Sequence, residues 1–295
     1  MPIILPSKIF IDGGDPEETA QAVKLLGYID GQTTNPSLVA KNPEIEKFIA
    51  SGKRFKKDAL LKEYKKIIQK VAKVTKGPCS IEVYANENST SEDLLIQAAE
   101  MFTWIPNAYI KFPIIKQGLE AAGKAVAEGI RVNMTLCFSQ EQAAAVYAAT
   151  KINNSKSPVF ISPFVGRLDD RGQNGMDLVV NILEMYNQPA GGGDQHVQML
   201  TASVRNLGHL LYALHLKSHA ITVPFKVFKE WADLGFKLPA GDFIYDPDLD
   251  RETPLEEITY REISLDYNFS EYNISHDLTT KGLTKFASDW ENLLT

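Results

Sequence analysis

A parallel (β/α)8 barrel, the TIM-barrel architecture, is the fold class this sequence predicts, and three observations carry it. Short runs rich in β-branched and aromatic residues alternate about eight times with amphipathic helical patterns. Polar residues interrupt those apolar runs mainly at or near their C-terminal ends. A chain of 295 residues with 44% hydrophobic content buries a core of the size one barrel needs. The expected organisation is one barrel domain over residues 1–295, with the barrel in about 1–235 and an acidic excursion plus a closing helix in 236–295.

Taken in order, Ser7-Lys-Ile-Phe-Ile-Asp12 reads as a strand ending in a carboxylate. It passes through Gly13-Gly14 into Asp15-Pro16-Glu17-Glu18, which has the N-cap, first-position proline and N3 glutamate of a helix start. That helix is expected to reach Leu26 and stop at Gly27. Tyr28 to Thr34 reads as the second strand and ends in Asn35-Pro36-Ser37, where the proline forces Asn35 out of helical geometry. Within residues 41–76, Leu60, Tyr64, Ile67, Ile68 and Val71 recur at helical spacing, so the segment predicts an amphipathic helix with a lysine-rich outer face. No aromatic residues interleave with those lysines, and the face reads as solvated rather than as a nucleic-acid platform.

Cys79 to Tyr84 is the third strand and holds Glu82 inside an apolar run; a helix over 92–102 follows. Ala108-Tyr-Ile-Lys-Phe-Pro113 is the fourth strand. Gly118 to Glu128 is a helix closed by Gly129, and Arg131 to Phe138 is a strand with Asn133 and Thr135 on one side. Ser139 caps an alanine-rich helix, and Ser157 to Phe164 is a strand running into Val165-Gly166-Arg167. A helix near Met176 to Tyr186 leads through Gly191-Gly-Gly193 to a strand over Val197 to Ser203, with Arg205 just beyond. A helix over 206–216 precedes the last strand, His219 to Pro224. From about Phe225 the alternation is expected to stop. Residues 238–276 are acidic and aperiodic, the mark of a lid, an interface arm or a loose excursion. Leu278 to Leu294 reads as a closing amphipathic helix with Leu283, Phe286, Trp290 and Leu294 as its stripe.

Lys111 is the residue that needs a reason. On a strand it shares a face with Tyr109, opposite Ile110 and Phe112; turned into a barrel it is desolvated, which disfavours the ammonium and favours an amine that attacks carbonyls. Since barrels gather chemistry at the C-terminal ends of their strands, Asp12, Asn35, Glu82, Lys111, Asn133, Thr135, Ser162, Arg167, Ser203 and Arg205 are expected to meet in one pocket. Two arginines and a serine at adjacent strand ends suit a phosphate monoester, because a guanidinium binds phosphate oxygens bidentately.

A net charge of -6 argues against nucleic-acid and anionic-membrane partners, and no apolar run approaches the length of a membrane span, so a cytoplasmic protein is expected. Cys79 and Cys137 fall in strands and read as buried free thiols. No dinucleotide, P-loop or zincin motif occurs, and the five histidines lack metal-ligand spacing; neither metal nor organic cofactor is expected.

These residues carry a resemblance to the transaldolase family over nearly the whole chain. It rests on Ile9-Phe-Ile-Asp12, Asp30-Gly-Gln-Thr-Thr-Asn-Pro-Ser-Leu38, Glu82, Ile110-Lys111, Asn133-Met-Thr-Leu-Cys-Phe-Ser139, Ile161-Ser-Pro-Phe-Val-Gly-Arg-Leu-Asp169 and Ala202-Ser-Val-Arg-Asn206. The resemblance implies a Schiff base on Lys111, acid/base work by Glu82 through a water, Asp12 as base for the C4 hydroxyl, and Thr135 orienting the water. It further implies that Asn35 and Asn133 hold the dihydroxyacetone unit, that Ser162 and Phe164 line the pocket, and that Arg167, Ser203 and Arg205 hold phosphate. The implied activity is transfer of a dihydroxyacetone unit between phosphosugars of the non-oxidative pentose phosphate pathway. Two departures stand out: Gly13-Gly14 follow Asp12, and no hydroxyl follows Lys111 in Phe112-Pro-Ile-Ile115. A fructose-6-phosphate aldolase-like enzyme or a transaldolase of a variant phosphosugar is the near alternative. The former subgroup usually has Gln and Tyr where this chain has Glu82 and Phe164. A catalytically silent barrel that binds a partner through helix 58–76 is the alternative of another class, and assembly into a homo-oligomer stays open.

Overall fold

A computed structural model describes residues 4–151, 157–187, 195–249 and 251–295. Eight parallel strands, β1 (Lys8–Asp12), β2 (Gly31–Thr33), β3 (Cys79–Glu82), β4 (Ala108–Pro113), β5 (Val132–Cys137), β6 (Val159–Pro163), β7 (Val197–Thr201) and β8 (Ala220–Pro224), follow one another around a closed barrel. Closure runs along the whole of β1, with Lys8 opposite Ala220 and Asp12 opposite Pro224. Apart from β4, the strands are shorter than their apolar runs; the second strand keeps only three residues of the expected seven. Every strand has helices on its outer face, so even its outward side chains are buried and continue to read as strand.

The helices are α1 (Pro16–Leu26), α2 (Pro36–Ala40), α3 (Pro43–Ala50), α4 (Lys57–Val74), α5 (Ser91–Phe102), α6 (Lys116–Ala127), α7 (Gln140–Thr150), α8 (Val165–Asp169), α9 (Gly175–Tyr186), α10 (Leu207–His215), α11 (Phe225–Asp233) and α12 (Asp277–Glu291). Asp15 caps α1 by accepting the Glu17 N–H, and Gly27 ends it at φ +92°, as the sequence signals require. Ser139 caps α7 and accepts the Gln142 N–H.

Two expectations are corrected. The long connection 41–76 holds two helices, α3 and α4, after the short α2, because Asn35-Pro36 and Asn42-Pro43 each make an N-cap and first-turn start. The alternation also does not stop at Phe225: α11 starts there, with Val227, Phe228 and Trp231 buried. The helix is only nine residues long and follows Pro224 directly, so its two-turn apolar pattern was too short to stand out from the charged residues around it.

Residues 238–249 and 251–276 contain one short 3-10 turn, Phe269–Glu271, yet they are tied down as a strap over α7, α9 and α10. Tyr245 stacks on Tyr212 at 4.5 Å, Glu256 O accepts the Asn174 N–H at 2.8 Å, and Gln140 exchanges two hydrogen bonds with the Arg261 backbone. Gly191-Gly-Gly193 lies outside the described residues. Cys79 and Cys137 are buried and free, and burial pushes both thiols up to about 12. No helix of the described residues is long and apolar enough to cross a membrane.

Candidate active site

Period-two alternation aims one set of side chains from each strand into the barrel. Lys111 and Glu82 lie opposite each other in the β3–β4 register, and Lys111 faces Asn133 across β4–β5. Lys111 Nζ sits 2.9 Å from Glu82 Oε2 and donates to the Thr34 carbonyl at 3.0 Å, with both charged side chains almost wholly buried at 3% and 4% exposed. The contact is an ion pair rather than an aligned hydrogen bond, since Glu82 Oε2 has no well-directed donor among the described residues. Burial lifts the Glu82 carboxyl above its ordinary range; Lys111 opposes that rise, and Asp12 adds to it.

Asp12 ends β1 with part of its surface open to the barrel mouth. Thr33 Oγ1 donates to its Oδ1 at 2.7 Å, and that hydroxyl also lies 2.5 Å from Thr222 Oγ1. Burial raises the Asp12 carboxyl, opposed by Lys111, the Thr33 hydrogen bond and Arg205.

Opposite the carboxylates, the end of β6 and the loop after β7 form the cationic side. Gly166 lets them close: a side chain there would come within 2.3 Å of Arg205 Cγ and 2.5 Å of Ser203 O. The Gly166 N–H donates to Ser203 O at 3.0 Å, and Ser203 takes a left-handed φ of +58°. Arg205 Nη2 pairs with Asp170 Oδ2 at 3.0 Å, while Arg167 is half-buried.

A cavity of about 300 Å³ opens at the C-terminal mouth, within the size range of a small-molecule site. Asp12, Asn35, Lys111, Ser162, Phe164, Arg167, Ser203 and Arg205 line it. Asn35 also caps α2 by accepting the Leu38 N–H at 2.9 Å. Glu82, Asn133 and Thr135 are not on its wall but directly behind it. Asn133 reaches the wall by accepting from Ser162 Oγ at 2.8 Å and donating to Ser80 Oγ at 3.1 Å. Thr135 Oγ1 is fully buried without a hydrogen-bond partner among the described residues. Among the described residues no cluster of three His, Cys, Asp or Glu side chains is placed to hold a metal ion.

Sequence reasoning missed Thr33, Thr222, Lys41 and Phe286 on the wall. The two threonines had a signal, since both fall on inward positions of their strands. Phe286 had none: it sits in the apolar stripe of α12, and only the path of that helix across the mouth brings it to the cavity. No described residue of the 238–276 strap lines the cavity.

Of the glycine pair after Asp12, Gly14 has a steric basis. A side chain at Gly14 would meet the Leu38 carbonyl at 2.3 Å, so the β1 turn packs directly on α2, which carries Asn35 and Leu38 to the cavity. Gly14→Val is expected to cost about 2–4 kcal/mol in urea unfolding, since backbone and not a flexible side chain must yield; Gly13→Ala, whose nearest neighbour is 3.4 Å away, is expected to cost under about 1 kcal/mol. Equal losses would refute that packing argument.

A family model described as transaldolase/fructose-6-phosphate aldolase matches residues 9–295. A probable transaldolase of Anaeromyxobacter sp. is 34% identical over 288 residues, covering 97% of this chain and 98% of that protein. Probable transaldolases of Sorangium cellulosum and Bdellovibrio bacteriovorus are 38% and 35% identical, over 76% and 80% of this chain and 88% and 97% of their own lengths. With the model matching from the first strand to the last residue, the chain belongs to the transaldolase/fructose-6-phosphate aldolase family.

Proposed function

We propose that this protein is a transaldolase that carries a dihydroxyacetone unit on Lys111 between phosphosugars of the pentose phosphate pathway. The observation that carries the reading is a buried lysine, 2.9 Å from a buried glutamate, opening into a cavity that also holds a carboxylate and two arginines. Lys111 gives a proton to Glu82, and Nζ attacks the C2 carbonyl of the ketose. The carbinolamine loses its hydroxyl as water, with the proton supplied from Glu82 through a water held by Thr135. Thr135 Oγ1, buried without a hydrogen-bond partner among the described residues, and Glu82 Oε2, paired only with the Lys111 ammonium, suit that water. Asp12 then takes the C4 hydroxyl proton while the C3–C4 bond breaks; its electrons enter the protonated imine to give an enamine, and the aldose departs. An incoming aldose takes the same path in reverse.

Asn35 holds the three-carbon unit, and Asn133 acts on it from behind the wall through Ser162; Ser162 and Phe164 shape its wall, and Arg167, Ser203 and Arg205 hold the phosphate. Transfer rather than release is favoured by the seclusion of Lys111, which limits hydrolysis of the waiting intermediate, and by Glu82 and Phe164 at the positions that separate the two activities.

Borohydride trapping with fructose 6-phosphate, followed by peptide mapping, tests this. A three-carbon adduct on Lys111 is expected, and erythrose 4-phosphate added before the borohydride is expected to lower its yield and form sedoheptulose 7-phosphate from the unreduced intermediate. An adduct on another lysine, or none, sinks the Schiff-base mechanism; an adduct that hydrolyses as fast with the acceptor as without it makes the protein an aldolase.

A further inference from the structure

His209 and Asp169 lie behind the cavity and take no part in the chemistry above, yet their side chains are 1% and 3% exposed. His209 Nε2 is 2.8 Å from Asp169 Oδ2, and Nδ1 accepts the backbone N–H of Arg205 at 3.3 Å. A ring nitrogen that accepts an N–H carries no hydrogen of its own, so the hydrogen sits on Nε2 and points at Asp169. Asp169 is itself held on both oxygens: Oδ1 accepts the Gly175 N–H at 2.9 Å, and Oδ2 also meets Arg251 Nη2 of the strap at 3.3 Å.

This pair joins the two pieces of chain that carry the arginines. Asp169 ends α8, two residues after Arg167. His209 sits in the first turn of α10, where Asn206 Oδ1 accepts its backbone N–H at 2.9 Å, and it grips the turn of Arg205. That turn contains Ser203 in its left-handed conformation, which persists only when its surroundings hold it.

We propose that His209 and Asp169 form a positioning pair for the phosphate grip: Asp169 fixes the ring tautomer, and the ring fixes the Ser203–Arg205 turn at the spacing from Arg167 that a phosphate monoester requires. The proposal rests on the reading of these arginines as phosphate ligands. Arg251 extends the pair outward, which gives the acidic strap a part in substrate affinity without touching substrate.

Three variants separate the parts. Asn in His209→Asn places an acceptor near Nδ1 but falls short of Asp169; Gln in His209→Gln reaches toward Asp169 but offers nothing at Nδ1. In Asp169→Asn the amide donates to Nε2 and drives the ring hydrogen to Nδ1, where it faces the Arg205 N–H. His209→Gln and Asp169→Asn are expected to raise KM for fructose 6-phosphate and Kd for inorganic phosphate by about tenfold or more. Their kcat and their borohydride trapping with unphosphorylated dihydroxyacetone are expected to change by less than about threefold. His209→Asn is expected to recover most of the phosphate affinity. In the wild type, 15N NMR is expected to show Nδ1 without hydrogen, and amide exchange at Arg205 is expected to quicken in His209→Gln.

A hydrogen on Nδ1, or unchanged Arg205 exchange in His209→Gln, overturns the positioning pair whatever the phosphate results. So does a loss of kcat and trapping in step with KM, which marks general unfolding. Wild type that binds no phosphate and treats fructose and fructose 6-phosphate alike, while Arg205 exchange still responds, removes the phosphate reading and with it the pair's role in affinity, but leaves the contact itself standing.

Discussion

Lys111→Met is expected to abolish both borohydride trapping and turnover, lowering kcat by roughly 10⁴-fold or more, because no other group replaces a covalent electron sink. The substitution has a second, separable effect. It leaves Glu82 buried at 4% exposure without the cation 2.9 Å away that now opposes the rise in its carboxyl. A carboxyl raised above its ordinary value of 4.5 binds more protons folded than unfolded between that value and its raised one, so stability falls as pH rises through that window. Losing Lys111 lifts the upper edge of the window. Melting temperature is therefore expected to fall, as pH rises above the ordinary value of 4.5, more steeply in Lys111→Met than in wild type, and the full loss at the alkaline end is about 3–5 kcal/mol. Adding Glu82→Gln removes the buried charge and is expected to flatten the curve without restoring turnover. If Lys111→Met still forms a trapped adduct, the nucleophile is another residue; if its pH dependence matches wild type, the Lys111–Glu82 pair is not what the stability of this core depends on.

How much of this was legible in the sequence follows from where each signal resides. A strand's inward face repeats every second residue, so Asp12, Glu82, Lys111, Asn133 and Ser162 declared themselves as polar groups in apolar runs, and the barrel closed around them as expected. The ion pair itself was not legible, since it depends on β3 and β4 lying in a register that places Glu82 opposite Lys111. Contacts made by helices that cross the barrel mouth were also hidden. Phe286 and Leu283 share one apolar stripe, and nothing in the spacing tells which of them faces the cavity. The path of the strap was not legible because its anchors are mostly backbone groups, such as Glu256 O and Arg261 N, which every sequence has and none advertises. His209 was marked in the sequence only by its lack of metal-ligand spacing; three-dimensional placement alone gives each of its ring nitrogens a different partner.

Asp12→Asn separates bond cleavage from imine formation. The amide keeps an oxygen to accept the Thr33 hydroxyl at the 2.7 Å contact, so the loop is expected to hold its shape. It loses the base for the C4 hydroxyl, and kcat is expected to fall by about 10²–10⁴-fold, the span that general-base groups supply. Dihydroxyacetone, which needs no C3–C4 cleavage, is expected to be trapped on Lys111 at close to the wild-type rate. The pH behaviour follows from burial, which raises the Asp12 carboxyl. Wild-type kcat is expected to fall on the acid side at a pH above the ordinary value of 3.8, and residual activity of Asp12→Asn is expected to lose that limb, keeping only the one set by Glu82. Stability moves the other way. A raised carboxyl stabilises the fold below its ordinary value and costs stability as pH rises through the raised one, so at neutral pH the uncharged amide is expected to melt as high as wild type or a few degrees higher. Turnover retained within tenfold would hand the proton to another base, with Glu82 the nearest candidate. A parallel loss of trapping would mean that Asp12 already acts in making the imine, and the division of labour between the two carboxylates would have to be redrawn.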